Sequence, residues 1–578
     1  MYKPVASIRK NTHFRWKGVF VFPIVRNWIV MKFTRGGRKL MNGRRYVYVM
    51  VVCVLMALAA CSNDKEADND VDEKTLENVN KTGMPIVDDP ITLNVFTGKS
   101  AQNVDSDWND ILIWNEYEEM TNINLNFDQV QTDSLEEKRN LALGGGTLPD
   151  VFYLAQLPNL DIYKYGKQGT FIELNDLIDE YAPNLTKLME ENPEIRKGIT
   201  FPDGNIYSLP SIVSEDFLSV RLSSRPFINQ EWLDELDMDM PETTDDFYQY
   251  LKAAKEADLN EDGRTVPYGG TSMDELTGWL QGSFGIGNRG VRNGPIDLDP
   301  NDDNKVRFYA TTDEYKEMLE YVHKLYEEEL IEQKIFSIEW GQFLANASEK
   351  QYGSMVFYDP VELFGKEVGD NYEPMPALKG PHGDKAFSKV SPAVASIGNF
   401  AITSENPNPA ATVRWMDYFY SDEGARLYYM GIEGETYEEN EDGELEYLDK
   451  ITDSEDGLTF EQEIAKYLTW LGGIMGIIKE EYFQGSESSP KSLEAADLLE
   501  EDVPDVIWPG FTYTEEENKV LSSKGSDIDK YVSEMADKFI SGDEPLSNWD
   551  DYVNELDKMG LEEYMDIQQA AYERYKEN

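Results

Sequence analysis

Thiols are nearly absent from this chain of 578 residues. The two cysteines, Cys53 and Cys61, both lie near the start, and nothing after Cys61 can form a disulfide or serve as a cysteine nucleophile. Histidine is almost as scarce. Beyond residue 60 only His323 and His382 remain, which leaves little material for histidine-based catalysis or a zinc site. Positive charge is also in short supply, with 53 Lys and Arg against 110 Asp and Glu and a formal net charge of −57. A body that acidic repels phosphate backbones and anionic lipid, so nucleic-acid binding is excluded as a reading. No G-x-S-x-G, H-E-x-x-H or Walker A sequence occurs. What remains is plentiful: 40% hydrophobic and 12% aromatic residues are too many for a disordered acidic chain, and the length allows more than one domain.

The charge is divided unevenly. Residues 1–60 hold 12 basic residues and no acidic one. Arg44-Arg45 precede an apolar run from Tyr46 to Ala57, followed by Leu58-Ala59-Ala60-Cys61. A basic segment, a short apolar run and small residues before a cut describe a secretory signal, and the run is short for a membrane span of about 20 residues. Leu-Ala-Ala-Cys resembles the bacterial lipobox, which implies cleavage before Cys61 and acylation of its thiol. An ordinary signal with a chance cysteine is the alternative. The polar, acidic stretch from Ser62 to Gly83 suits a solvated tether. Residues 1–40 are basic and patchily apolar, and Met31 and Met41 are alternative starts.

From Pro90 short apolar runs alternate with helical patterns. Ile91–Phe96 reads as a strand, Trp108–Met120 as a helix, Ile123–Phe127 as a strand, Leu135–Leu143 as a helix and Asp150–Leu154 as a strand. That alternation predicts βαβ units and a mostly parallel sheet, with ligand beyond the carboxyl ends of the strands, near Phe96, Thr97 and Tyr153. Thr311–Leu330 reads as a helix with a capping box at Thr311 and Glu314 and one apolar stripe, from which His323 is displaced. From Phe460 the pattern is largely helical, and no fixed-period repeat occurs.

Several segments together resemble the extracellular solute-binding proteins of ABC importers (family 1), especially the long lipoprotein branch of Gram-positive bacteria. They are Asp203-Gly204-Asn205-Ile206-Tyr207-Ser208-Leu209-Pro210, Phe227-Ile228-Asn229-Gln230-Glu231-Trp232-Leu233 followed by Pro241-Glu242-Thr243-Thr244, Gly431-Ile432-Glu433-Gly434-Glu435-Thr436-Tyr437 ahead of Asp442-Gly443, and the terminal Ala570-Ala571-Tyr572-Glu573-Arg574-Tyr575. Each motif is weak alone; their shared order from about Pro90 to the end is specific. The resemblance implies an α/β, two-lobed periplasmic-binding-protein-like fold with hinge-linked lobes and a helical C-terminal region. It places the signal region at 1–60, a lipidated tether at 61–87, one lobe at 88–216 and 395–440, and the other at 217–394 and 441–578. Hinge crossings are expected near Val213–Arg221, near Pro392–Ala401 and just after Tyr437. The implied function is non-enzymatic: capture of an oligosaccharide or other small solute by hinge closure, and delivery to a membrane permease. The expected protein is a monomer, held to the extracytoplasmic face of the bilayer through acylated Cys61, with no required cofactor.

Sugars offer apolar C–H faces and many hydroxyls, so their clefts need aromatic platforms with polar groups at the rim. Trp279 follows a Gly269-Gly270 loop with no amphipathic stripe demanding it, and Tyr358 ends the predicted strand Gly353–Tyr358. With Phe96, Thr97, Tyr153 and Trp340 they form the candidate ligand set, each readable instead as core packing. Glu433 either reaches a ligand hydroxyl or stabilises its Gly-flanked turn; Arg221 either pairs with hinge carboxylates or reaches the ligand. Asp258-Leu-Asn260-Glu-Asp262-Gly263 matches the first half of a calcium loop, with the Arg264 carbonyl as a further ligand. Val266-Pro267 and Gly269 stand where further acidic ligands would fall, so a degenerate site for structural calcium and an Asx-rich turn both remain open. Gly285-Ile-Gly287-Asn-Arg-Gly290 has a nucleotide-loop spacing without the strand and helix such a loop needs. The rival functions are a secreted polysaccharide hydrolase, a peptide or other solute-binding protein, and a wall-facing adhesin or scaffold.

Overall fold

The computed structural model describes residues 73–99, 107–222, 224–260, 264–287, 292–441, 443–454 and 457–577. Cys53, Cys61, Asp262, Gly290 and Asp442, singled out above, lie outside them. In chain order the strands are β1 (Ile91–Lys99), β2 (Ile123–Gln131), β3 (Val151–Tyr153), β4 (Leu209–Val213), β5 (Arg225–Asn229), β6 (Val266–Tyr268) and β7 (Ile296–Asp299). They continue with β8 (Asp302–Phe308), β9 (Tyr352–Phe357), β10 (Tyr372–Pro374), β11 (Val394–Ile402), β12 (Tyr437–Glu439), β13 (Leu445–Tyr447) and β14 (Ile477–Ile478).

Two sheets carry two cores. The first is six-stranded, in the order β14-β4-β11-β3-β1-β2, and the second is four-stranded, β10-β5-β9-β6. β1 pairs in parallel with β2 on one side and β3 on the other, and pairing with β2 runs from Ile91–Ile123 to Lys99–Gln131. The strand therefore continues three residues beyond the expected Ile91–Phe96, because β2 pairs with it as far as Lys99, while β3 accompanies it only to Thr97. Gly98 is required here: a Cβ on it would lie 2.5 Å from the Leu154 carbonyl oxygen. Gly398 in β11 does the same for Leu157, whose carbonyl oxygen would lie 2.1 Å from an added Cβ. Together these glycines seat the loop that follows β3.

The first core gathers residues from Ile86 to Phe217 and from Val394 to Tyr482. The second gathers Leu222 to Val390 and Ala496 to Tyr575, with a side cluster around Phe343, Tyr352 and Phe357. The chain thus passes between cores at Phe217–Leu222, at Val390–Val394 and between Phe483 and Ala495. The third passage differs from the expected position just after Tyr437. Tyr447, Ile451, Ile464, Leu468 and Ile477 pack into the first core, where β14 pairs in parallel with β4, so residues 441–482 pack with the first lobe and not the second. A weakly patterned stretch reads the same in sequence whichever core buries it. The run from Phe460 is correspondingly less helical than expected: a short helix, Phe460–Ile464, then loops and β14 before helices resume at Pro490.

Helix Asp313–Glu327 buries Tyr315, Met318, Leu319, Val322 and Leu325, the stripe legible in its sequence. Its N-cap is Thr312, whose hydroxyl accepts from the Tyr315 backbone N–H at 3.3 Å, one residue later than the capping box expected at Thr311. Thr311 instead donates to the Phe308 carbonyl. His323 sits 2.9 Å from the Ile540 carbonyl oxygen, near the end of the neighbouring helix Ser526–Ser541.

Candidate functional site

Strand direction places the site. β4 runs into the first passage between cores; β11 is antiparallel to β4 and β3, and β1 and β14 are parallel to that set. The carboxyl ends of β1, β3, β4 and β14 therefore all point toward the passages. In the second sheet β5 leaves the first passage, β9 returns antiparallel to it with Phe357 opposite Arg225, and β6 runs parallel to β9. Its carboxyl-end residues, Tyr268 and Phe357, face the same way. The cleft between such sheets is where ligands lie in open α/β folds.

The aromatic residues at these ends differ in exposure. Phe96 lies inside β1, not at its end, and packs 5.2 Å from Phe152. Thr97 is fully buried and donates to the Gly98 carbonyl. Tyr153 is buried, with its hydroxyl 3.0 Å from that of Tyr428; burial holds its pKa well above the usual phenol value. These three belong to the first core. Trp279 is also core: it is 1% exposed on helix Met273–Leu280 and meets Phe247 edge-on at 5.1 Å. It shares the buried side of that helix with Met273, Leu276 and Leu280.

Trp340 and Tyr358 are the residues of that set left open, at 48% and 46% exposure. Trp340 begins helix Trp340–Ser348 and lies nearly parallel to Phe357 at 5.6 Å and to Phe343 at 5.7 Å. Tyr358 follows β9 and stands edge-on to Phe357 at 5.2 Å. Phe343 and Phe357 are buried, so they fix the two open rings from beneath. The result is an aromatic ledge at the cleft end of the second sheet, suited to the C–H face of a flat, hydroxylated ligand. Asp359, next in sequence, is buried and accepts from the Val361 backbone N–H at 2.7 Å.

Arg225 fastens this ledge and was not singled out in the sequence. Its side chain is wholly buried; Nη1 donates to the Tyr358 carbonyl at 2.8 Å, and Nη2 to the Ser219 hydroxyl at 2.7 Å and to the Ser219 carbonyl. Burial lowers its pKa to about 10, against the raising influence of Glu487 and Asp359. The signal was present: an arginine opening an otherwise apolar strand, Arg225-Pro226-Phe227-Ile228, in which every residue is buried.

Arg221 lies at the hinge, but bonded to a backbone carbonyl and not paired with a carboxylate as expected. Its Nε donates to the Ser391 carbonyl at 3.0 Å, while the Ser391 N–H donates to the Arg221 carbonyl, so the first two passages are tied together. The residue borders a cavity of about 130 Å³ with Glu194, Glu215 and Val394, and burial lowers its pKa. Glu433 is exposed in a turn whose geometry comes from Thr436, which accepts from the Ile432 N–H at 2.7 Å and donates to the Met430 carbonyl.

At the calcium-loop sequence, Asp258 adopts a left-handed backbone after helix Thr244–Ala257, and its carboxylate accepts from the Thr265 hydroxyl at 2.9 Å. The Asn260 N–H donates to the same hydroxyl at 3.0 Å, and the Arg264 side chain pairs with Glu349. Among the described residues no group of three acidic, histidine or cysteine side chains is arranged to hold a metal ion. Further along the chain, Asp297 is buried and held by Arg307 through two bonds of 2.8 and 2.6 Å.

A family profile described as bacterial extracellular solute-binding protein matches residues 105–426, more than half of the chain. The protein belongs to that family. Among its relatives, a fructooligosaccharide ABC transporter substrate-binding protein, FusA of Streptococcus pneumoniae, is 29% identical over 92% of this chain and 98% of its own. A polygalacturonan/rhamnogalacturonan-binding protein of Bacillus subtilis, YtcQ, is 24% identical over 80% and 88%. The structure of FusA in complex with kestose superposes with a TM-score of 0.64 at 27% identity, covering 84% of this chain and all of that one. An extracellular solute-binding protein from Bifidobacterium longum subsp. infantis gives 0.70 at 22% identity over 84% and 98%, a likeness of fold. The solved FusA structures also include an EF-hand mutant in complex with fructo-nystose. This solute-binding protein is therefore a two-lobed binder and not an enzyme. No helix of its described residues is long and apolar enough to cross a membrane.

Proposed function

We propose that this solute-binding protein captures a neutral oligosaccharide between its lobes by hinge closure and delivers it to the permease of an ABC transporter. The observation that carries the reading is the Trp340–Tyr358 ledge, two rings left open at the cleft end of the second sheet while the comparable rings of the first are buried. Resemblance to the fructooligosaccharide-binding FusA across 92% of the chain supports a carbohydrate ligand. A net charge of −57 disfavours polyanionic glycans such as galacturonan. The closing bodies are the two lobes built on the two cores, and closure follows because ligand contacts both only in the closed form.

The protein acts as a monomer on the extracytoplasmic face, anchored by acyl chains on Cys61. Burial of such chains contributes about 0.8 kcal/mol per CH₂, so two or three of them hold stably. Calcium is not required for ligand binding.

The test is calorimetric titration of residues 62–578 with kestose, nystose, maltotriose and oligogalacturonate, with chromatography of the recovered ligand. Binding of one neutral glycan family, recovered uncleaved, is the expected result. Binding of oligogalacturonate alone, or of peptides alone, would sink the neutral-sugar reading. Release of the Cys61→Ser protein into the medium, with the wild type retained on cells, tests the anchor.

A further inference from the structure

Arg225 stands where three parts of the molecule meet. Ser219 lies in the first passage, between Phe217 of the first core and Leu222 of the second. Glu487 and Ser492 lie in the third passage. Tyr358 belongs to the ledge. The guanidinium bonds to Ser219 and the Tyr358 carbonyl, and its Nη1 lies 3.4 Å from the Ser492 hydroxyl. The Ser219 hydroxyl passes the chain onward to the Glu487 carbonyl at 2.5 Å.

The hydrogen bonds of Arg225 go to carbonyls and hydroxyls, with Glu487 and Asp359 acting on it only through their charge, and its buried Nε has no hydrogen-bond partner among the described residues. A buried cation satisfied by carbonyls and hydroxyls is a costly way to hold a fold, since an apolar side chain of similar volume packs as well or better. An apolar side chain lacks the rigid planar fork, whose fixed donors can bind several segments in one geometry. The segments tied here are two hinge passages, which must turn when lobes close, and the platform that the ligand touches.

We propose that Arg225 is a positioning residue that couples the ledge at Tyr358 to the hinge, so that a sugar seated on the ledge shifts the lobes toward closure. The inference rests on the carbohydrate reading above. A ligand moves a conformational equilibrium only by its differential affinity for the two states, and the fork supplies the difference by presenting Tyr358 in its working position only when the two passages are in the closed arrangement.

The absence of cysteine after Cys61 permits a direct test. Dyes placed at Glu119→Cys and Glu320→Cys, exposed positions on the first and second lobes, report closure in the soluble mature protein by energy transfer, with kestose as the probe. In Arg225→Lys, which keeps the charge and loses the fork, the Kd for kestose is expected to rise at least tenfold and the transfer change at saturation to shrink, with circular dichroism unchanged. Ser219→Ala, a smaller perturbation of the same relay, is expected to raise Kd about threefold in the same direction, and it decides the matter should Arg225→Lys fail to fold. A lowered melting temperature with wild-type closure at saturating kestose would show Arg225 to be structural only and overturn the coupling. Silence of the wild-type protein toward kestose, with closure on another class of solute, would overturn the carbohydrate reading instead.

Discussion

In the first lobe Phe96, inside β1, and Tyr153, at the end of β3, lie under other chain; in the second, Trp340 and Tyr358 stand open to solvent on a bed of buried rings. Both sheets are α/β layers with aromatic residues toward the passages, so residue type does not separate them. What covers the ring does. Tyr153 has Trp108 at 6.1 Å and Trp114 at 6.2 Å over it, and Tyr428 holds its hydroxyl. A ring so enclosed contributes to stability, whereas an open ring held from below is available to a ligand without reorganisation.

The largest effect that would test this division comes from a buried ring on the second lobe. Trp279→Ala is expected to cost about 3–5 kcal/mol of stability, measured by urea unfolding, with unchanged kestose affinity in the folded protein. Loss of affinity without loss of stability would return Trp279 to the cleft.

A buried carboxylate in the first lobe gives a pH effect of somewhat smaller size. Asp417 is fully buried, and burial raises its pKa to about 6 despite bonds from the Asn184 and Leu185 N–H groups. Because the folded pKa lies above the unfolded one, its contribution is complete below about pH 4 and is lost as pH rises through about 6. Relative to Asp417→Asn, the wild type is expected to gain on the order of 2 kcal/mol of unfolding free energy between pH 7 and pH 4.5. A flat difference across that range would contradict it.

For the open rings the expectation reverses. Trp340→Ala and Tyr358→Ala should each weaken kestose binding about tenfold, or about 1.4 kcal/mol, while changing stability by less than about 0.5 kcal/mol. Equal losses of stability in both variants would erase the contrast between the lobes. The smallest effect concerns the turn at Asp258. With Thr265 occupying its carboxylate, replacing calcium by chelator is expected to move the melting temperature by less than about 2 °C. A shift of several degrees would make the turn a metal loop.

Much of the first lobe was legible because its signals are local. Ile91–Phe96 and Ile123–Phe127 are short apolar runs between breakers, and β1 and β2 form there, each extended by its partners. The stripe from Tyr315 to Leu325 has the period of a helix and is buried as such. The exposure of the candidate rings was not legible: Trp340 and Tyr358 could be named as candidates, but so could Trp279 and Tyr153, since nothing within a few residues of a ring says whether a distant segment will cover it. The segment from Tyr447 to Ile478 failed for the same reason, because which core buries an apolar residue is a long-range outcome.

By itself, the sequence determined the acidic net charge, the lack of thiols after Cys61 and the order of motifs that marks the family, all of which follow from residue identity and spacing. Tertiary structure alone decided which rings stay open, where the chain passes between cores and that Arg225 joins Ser219, Tyr358 and the third passage. The bonds from Arg225 to Tyr358 and toward Ser492 span 133 and 267 positions, and burial at such range is set by which surfaces meet when the sheets and helices pack.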